Sequence, residues 1–291
     1  MRKVCLGVVM TACTVAWAAQ PPQLADVLAR AAQYVASVEA ALPVMAADEE
    51  YAQTAESNKM LGGSTLGVGT GQAGAMIEGH TVRTRRKSRS ELLLVRRNDA
   101  PFVWSGVRST LEVDGKSTEK EPGRLERLAA APADLDRAWP ALVDESRTIQ
   151  IGEPVRGVHA PWTTLALLRA DQQPRVEFKK DGEETINGVR VWKVSFVERK
   201  TPSLLRSTGN AQVPSRGIIW LDPATGQALR TKLELGSGLN LQQLRVEVDY
   251  ALDAGLGLPV PVTMKERHEN ERGNHAEAKS TFRHWRKVAP R

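Results

Sequence analysis

Two short segments restrict the fold more than anything else in the chain: LRTKLEL (229–235) and LRVEVDY (244–250). In the first, Leu229, Thr231, Leu233 and Leu235 fall on one side, and Arg230, Lys232 and Glu234 on the other. In the second, Leu244, Val246, Val248 and Tyr250 oppose Arg245, Glu247 and Asp249. Strict alternation of apolar and charged residues is the pattern of an antiparallel strand with one wet face. VRVWKVSF (189–196) repeats it, with Trp192, Val194 and Phe196 together. Asp181-Gly182, Asn187-Gly188, Thr225-Gly226 and Gly273-Asn274 supply places where such a chain turns or bulges at little cost.

The remainder of the chain supplies covers and connections for that sheet. Leu24, Leu28, Ala31, Val35, Val38 and Leu42 recur every three or four residues, which predicts a helix over about 22–42 with one apolar stripe. LGGSTLGVGTGQAG (61–74) lacks the preceding strand, following helix and lysine of a phosphate-cradling loop, and reads as a flexible connection. Residues 80–97 and 102–116 form a candidate hairpin about Asn98–Pro101. An insert over about 122–170 is rich in helix formers and interrupted by Pro132 and Pro140, predicting short helices, with another over 161–169. Strands then continue to the end of the sequence.

At the start, Arg2 and Lys3 precede an apolar run from Val4 to Trp17 and small residues at Ala16 and Ala18. That order predicts a signal peptide over 1–18, followed by a single exported domain over 19–291. Its removal takes the formal charge of +6 down by two and removes both cysteines, Cys5 and Cys13. The exported chain would then have no disulfide, thiol nucleophile or cysteine-ligated metal. In the alternative, Met10–Cys13 is a lipoprotein processing site and the chain is lipid-anchored at Cys13.

The chemistry-bearing residues point away from catalysis, cofactors and metals. Asp222, in LDPATG (221–226), reads as a turn-capping side chain rather than a catalytic carboxylate. His268 and His275 are seven positions apart about Gly273-Asn274, too far for one tetrahedral metal, and read as a solvated hairpin tip. No G-x-S-x-G elbow is present. Arg83, Arg85, Arg86, Lys87 and Arg89 lack interleaved aromatics, which argues against nucleic acid. A solvated strand is the plain reading of that run; contact with anionic lipid headgroups or an acidic envelope protein is the functional one.

What remains is the apolar side of the sheet: Phe178, Trp192, Phe196, Trp220, Leu233, Leu235, Val246, Val248 and Tyr250. These are the candidate lining of a hydrophobic ligand cavity, with a plainly packed core as the alternative. The succession of signal peptide, amphipathic helix, antiparallel strands and mid-chain helices resembles the outer-membrane lipoprotein carrier superfamily, of LolA/LolB type. It is most similar to uncharacterised exported bacterial proteins sharing LDPATGQALRT (221–231) and NGVRVWKVSF (187–196). The resemblance implies an α+β, mostly antiparallel fold: a large curved sheet forming an unclosed barrel covered by the N-terminal helix and the inserted helices. It also implies a non-enzymatic periplasmic carrier of lipid or lipoprotein acyl chains. The long glycine loop and extra strands depart from that pattern. A cell-envelope interaction module with a filled core is the second expectation.

Overall fold

A computed structural model describes the chain except for residues 1–21, 42, 60–79, 97–103, 153–159, 207–210, 237–242, 271–272 and 290–291. The expected signal peptide and glycine-rich loop lie outside the described residues. Helix α1 (Leu24–Ala41) leads into strands β1 (Val44–Lys59), β2 (His80–Arg96), β3 (Trp104–Val113) and β4 (Lys116–Ser117). Helices α2 (Arg124–Ala129) and α3 (Pro132–Thr148) follow, then a 3-10 turn at Thr163–Leu168. Next come β5 (Val176–Ile186), β6 (Val189–Glu198), the short β7 (Leu205–Arg206) and β8 (Gln212–Val213), and β9 (Ser215–Leu221). The chain finishes with β10 (Ala228–Leu235), β11 (Gln243–Asp253), β12 (Leu258–Glu269) and β13 (His275–Lys287).

Eleven strands form one antiparallel sheet in the order β4-β3-β2-β1-β13-β12-β11-β10-β9-β6-β5, while β7 and β8 pair as a separate small hairpin. The end strands β4 and β5 do not pair, so the barrel is unclosed. Side chains from strands near opposite ends, Trp104 of β3 and Phe196 of β6, nevertheless share one apolar cluster. A sheet this wide can bring them together only by curling. The enclosed side is the concave face.

The alternation of the sequence maps directly onto the register. Leu233 pairs with Val246, and Glu234 with Arg245, so apolar neighbours face the hollow and charges stand outside. Outside, ion pairs link successive strands, including Arg230–Asp249, Arg245–Glu234 and Arg267–Glu277. The run Leu92-Leu93-Leu94 breaks alternation because both sides of β2 are covered. Leu92 and Leu94 join the concave cluster, while Leu93 packs with Val107, Leu125, Leu135 and Leu142 beneath α2 and α3.

The inserted helices therefore divide between the two faces rather than all closing the hollow. α2 and α3 pack outside, while the 3-10 turn enters the concave side. Pro140 sits within α3 instead of ending it. The residue is exposed, so its ring stands on the water side of the helix. No described helix is long and apolar enough to cross a membrane.

Candidate functional site

The concave face is built by rows of residues in cross-strand register. One row runs Phe178, Phe196, Gly217, Leu233, Val246, Glu266, Ala278, Gln53 and Arg86, from β5 to β2. It begins aromatic and apolar and ends polar. Gly217 is required within it: an added Cβ would lie 1.9 Å from the Lys232 carbonyl oxygen and 2.9 Å from the Phe196 ring. The absent side chain leaves room for Phe196 to lie over β9.

Eight of the nine expected cavity residues, Phe178, Trp192, Phe196, Leu233, Leu235, Val246, Val248 and Tyr250, meet in the single concave cluster. Trp220 does not. It lies on the outer face, where its indole donates to Glu184 at 3.0 Å and Arg230 sits 5.8 Å from its ring. Ile219 and Leu221 take the inner positions instead.

Three pieces cover the apolar surface. α1 lays Val27, Ala31, Tyr34, Val35 and Val38 on it, the 3-10 turn adds Leu165, Leu167 and Leu168, and the β7–β8 hairpin adds Leu205 and Val213. The covers are tethered by polar contacts. Arg30 donates to the Pro223 carbonyl at 2.7 Å, and Arg169 reaches Glu39 at 3.1 Å. Glu198 accepts hydrogen bonds from the Leu204 amide, the Ser215 amide and the Ser215 hydroxyl. Asp222 is a turn former: it accepts from the Ala224 amide and the Thr225 hydroxyl. That turn is also the seat of α1.

Beneath the covers, Trp162 packs edge-on against Trp104 at 4.7 Å and stacks on Trp285 at 5.9 Å. Burial pushes the phenols of Tyr34 and Tyr250 well above their ordinary range. Both therefore stay protonated, and the Tyr250 hydroxyl donates to the Pro161 carbonyl at 2.9 Å. The hollow is thus occupied by the protein's own side chains in this conformation. Two surface hollows among the described residues lie elsewhere. One, about 180 Å³, is at the strand ends among Arg216, Glu234 and Arg245; the other, about 700 Å³, lies outside among Glu50, Ala52, Lys87 and Lys279.

One corner of the concave face departs from this apolar character, and sequence reasoning missed it. Arg108 on β3 makes two hydrogen bonds to Glu49 on β1, at 2.5 and 3.0 Å, with both side chains almost fully buried. Burial opposes the guanidinium charge, but Glu49, by charge and hydrogen bond, and Glu266, by charge, outweigh it and hold the pKa above its ordinary value. Tyr51 donates to Glu266 at 3.1 Å, and His268 Nε2 lies 3.9 Å from the same carboxylate. His268 is 2 % exposed, so the expected solvated tip is corrected. It pairs with Ala276 on the inner face, whereas His275 pairs with Glu269. The alternation Met264, Glu266, His268 was the available signal.

A strap crosses this corner. The Gln53 amide donates to the Ile149 carbonyl at 3.0 Å and accepts from the Ile151 amide at 3.2 Å, standing in for a neighbouring strand. Ile149 rests on Tyr51 and Ala278, and Ile151 on Ala55 and Ala276. Arg86 turns inward to the Ile149 carbonyl at 3.2 Å, so it is not part of the outward basic row expected from sequence. Of that row, Arg83 pairs with Glu56 and Arg89 with Glu112, while Arg85 and Lys87 are exposed. No described group of three or more His, Cys, Asp or Glu side chains is arranged to hold a metal ion.

No protein-family model and no curated protein sequence matches the chain. Solved structures do. The chain is similar to a putative outer membrane lipoprotein-sorting protein domain from Vibrio parahaemolyticus, with 13% identity and TM-score 0.32 over 89% of this chain and 92% of that one. It is similar to a DUF1329 family protein from Desulfovibrio piger, with 9% identity and TM-score 0.30 over the same shares, 89% and 92%. A LolA superfamily protein from Nitrosomonas europaea matches with 7% identity and TM-score 0.27 over 83% of this chain and 86% of that one.

Proposed function

We propose that the protein is an exported, periplasmic binder or carrier of a lipidic ligand, lipid or lipoprotein acyl chains, working without covalent chemistry. One observation carries this reading: among the described residues, the apolar concave face is covered by three separate small pieces tethered by a few polar contacts, not by a second sheet of comparable width. Such covers can be exchanged for a ligand of similar apolar area. Each methylene buried supplies about 0.8 kcal/mol, so an acyl chain can offset the apolar surface that a moving cover would otherwise leave in water. Ligand release is the reverse exchange, driven by the cover's return.

Native mass spectrometry of protein isolated from envelope extract tests the proposal. Co-purifying lipid is the expected result. An empty protein whose tryptophan emission does not respond to added fatty acid would remove the proposal. The filled hollow favours a second reading, an envelope interaction module that uses the sheet as a scaffold. An empty protein that associates with an envelope component would support that one.

A further inference from the structure

We infer that the polar corner of the concave face is a headgroup subsite for an amphiphile with an uncharged, hydroxyl-bearing head, such as a glycerol or a sugar. The inference rests on the lipid-binding reading above. Three polar atoms in this corner, Ser88 Oγ, Ser280 Oγ and His268 Nε2, are buried and have no hydrogen-bond partner among the described residues. Ser88 and Ser280 flank Tyr51 in direct register, on β2 and β13. His268 lies four residues from Met264 along β12, and Met264 is the partner of Ser280. Strand spacing puts Ser88 and Ser280 roughly 10 Å apart, a gap that one small head can bridge, with His268 roughly 14 Å from Ser280 at the far end of the corner.

Burying a hydroxyl or imidazole without a partner is costly, and an apolar residue at these sites would avoid the cost. The two serine hydroxyls are neutral donors and acceptors, which suits a head bearing hydroxyls. Of the charged groups in the corner, Arg108 is held by Glu49 and lies within the field of Glu266, and Arg86 is held by the Ile149 carbonyl of the strap. A phosphate placed here would meet both carboxylates. The apolar half of the same face begins at Val246, the neighbour of Glu266, so one ligand would lay its chain along β11 to β6 with its head under the strap. The head gains the corner by displacing Ile149–Ile151 from Gln53.

The test uses full-length protein, the apolar dye N-phenyl-1-naphthylamine as chain probe, and octyl glucoside and octyl phosphate as competitors below their micelle concentrations. The dye should bind and be displaced more readily by the glucoside than by the phosphate. Ser88→Ala and Ser280→Ala should each weaken the glucoside by about fivefold, one hydrogen bond's worth, and leave dye affinity unchanged. If the dye binds but the phosphate competes as well or better, or both variants leave the glucoside unaffected, the headgroup assignment falls and the lipid reading stands. If the dye does not bind, both fall.

Discussion

Gly226 lies so close to Ala31 that an added Cβ would meet the Ala31 amide nitrogen at 2.3 Å and the Arg30 carbonyl carbon at 2.4 Å. The β9–β10 turn and the backbone of α1 thus touch without an intervening side chain. Gly226 also has a φ of 76°, which disfavours any other residue.

Gly226→Ala should therefore destabilise by more than the conformational cost alone: about 1–3 kcal/mol of strain, plus a further 1–3 from overpacking. Gly188→Ala is the control, since it has a φ of 82° and nothing within 4 Å of its added Cβ. Urea denaturation of the two variants separates the terms. Equal losses would mean that the turn does not seat α1.

Arg108→Leu should cost about 3–5 kcal/mol by leaving Glu49 buried without its charge partner. The double variant with Glu49→Leu should recover most of that loss. A double-mutant cycle by chemical denaturation measures the coupling. Additive losses would contradict coupling between the two buried charges.

Gln53→Leu should free the strap while keeping a buried side chain in place. Hydrogen exchange at the Ile151 amide, which donates to Gln53 in the wild type, should accelerate. Amides of β10 and β11 should exchange as before.

Glu234 provides the pH prediction. A hydrogen bond from Lys232, with the charges of Lys232 and Arg245, lowers its pKa against a smaller opposing effect of burial. A depressed folded pKa stabilises above the unfolded value, about 4.3, and that stabilisation is lost as pH falls through the folded value. Glu234→Gln should thus lower stability at neutral pH, by less than about 1 kcal/mol for a partly exposed group, and converge with wild type in acid. Melting temperatures from pH 7 to 3 report it. A constant offset would contradict the linkage.

The sheet was legible because LRTKLEL and LRVEVDY state their faces residue by residue. Asp222 was legible because proline and glycine left it only a turn to form. Trp220 was misplaced because Ile218-Ile219-Trp220-Leu221 is apolar throughout and does not declare which residues point inward. The buried corner was missed for a different reason. Glu49, Arg108, Glu266 and His268 look like wetted residues one at a time, and only the register of five strands, β3-β2-β1-β13-β12, shows them enclosed together. The division of the inserted helices between faces depends on where the chain crosses the sheet edge, which local periodicity does not encode.

The pairing of β1 with β13 has a consequence for assembly. Asp48 and Arg286, joined at 2.9 Å, are 238 positions apart in the sequence. This seam cannot be zipped until its last strand is available, so the β1–β4 and β5–β12 wings must wait, each with a raw flank, until the tail arrives to stitch them. Closing so distant a loop is slow, and during that delay the unmatched flanks of β1 and β12 are the places where a stray strand from another chain would be captured.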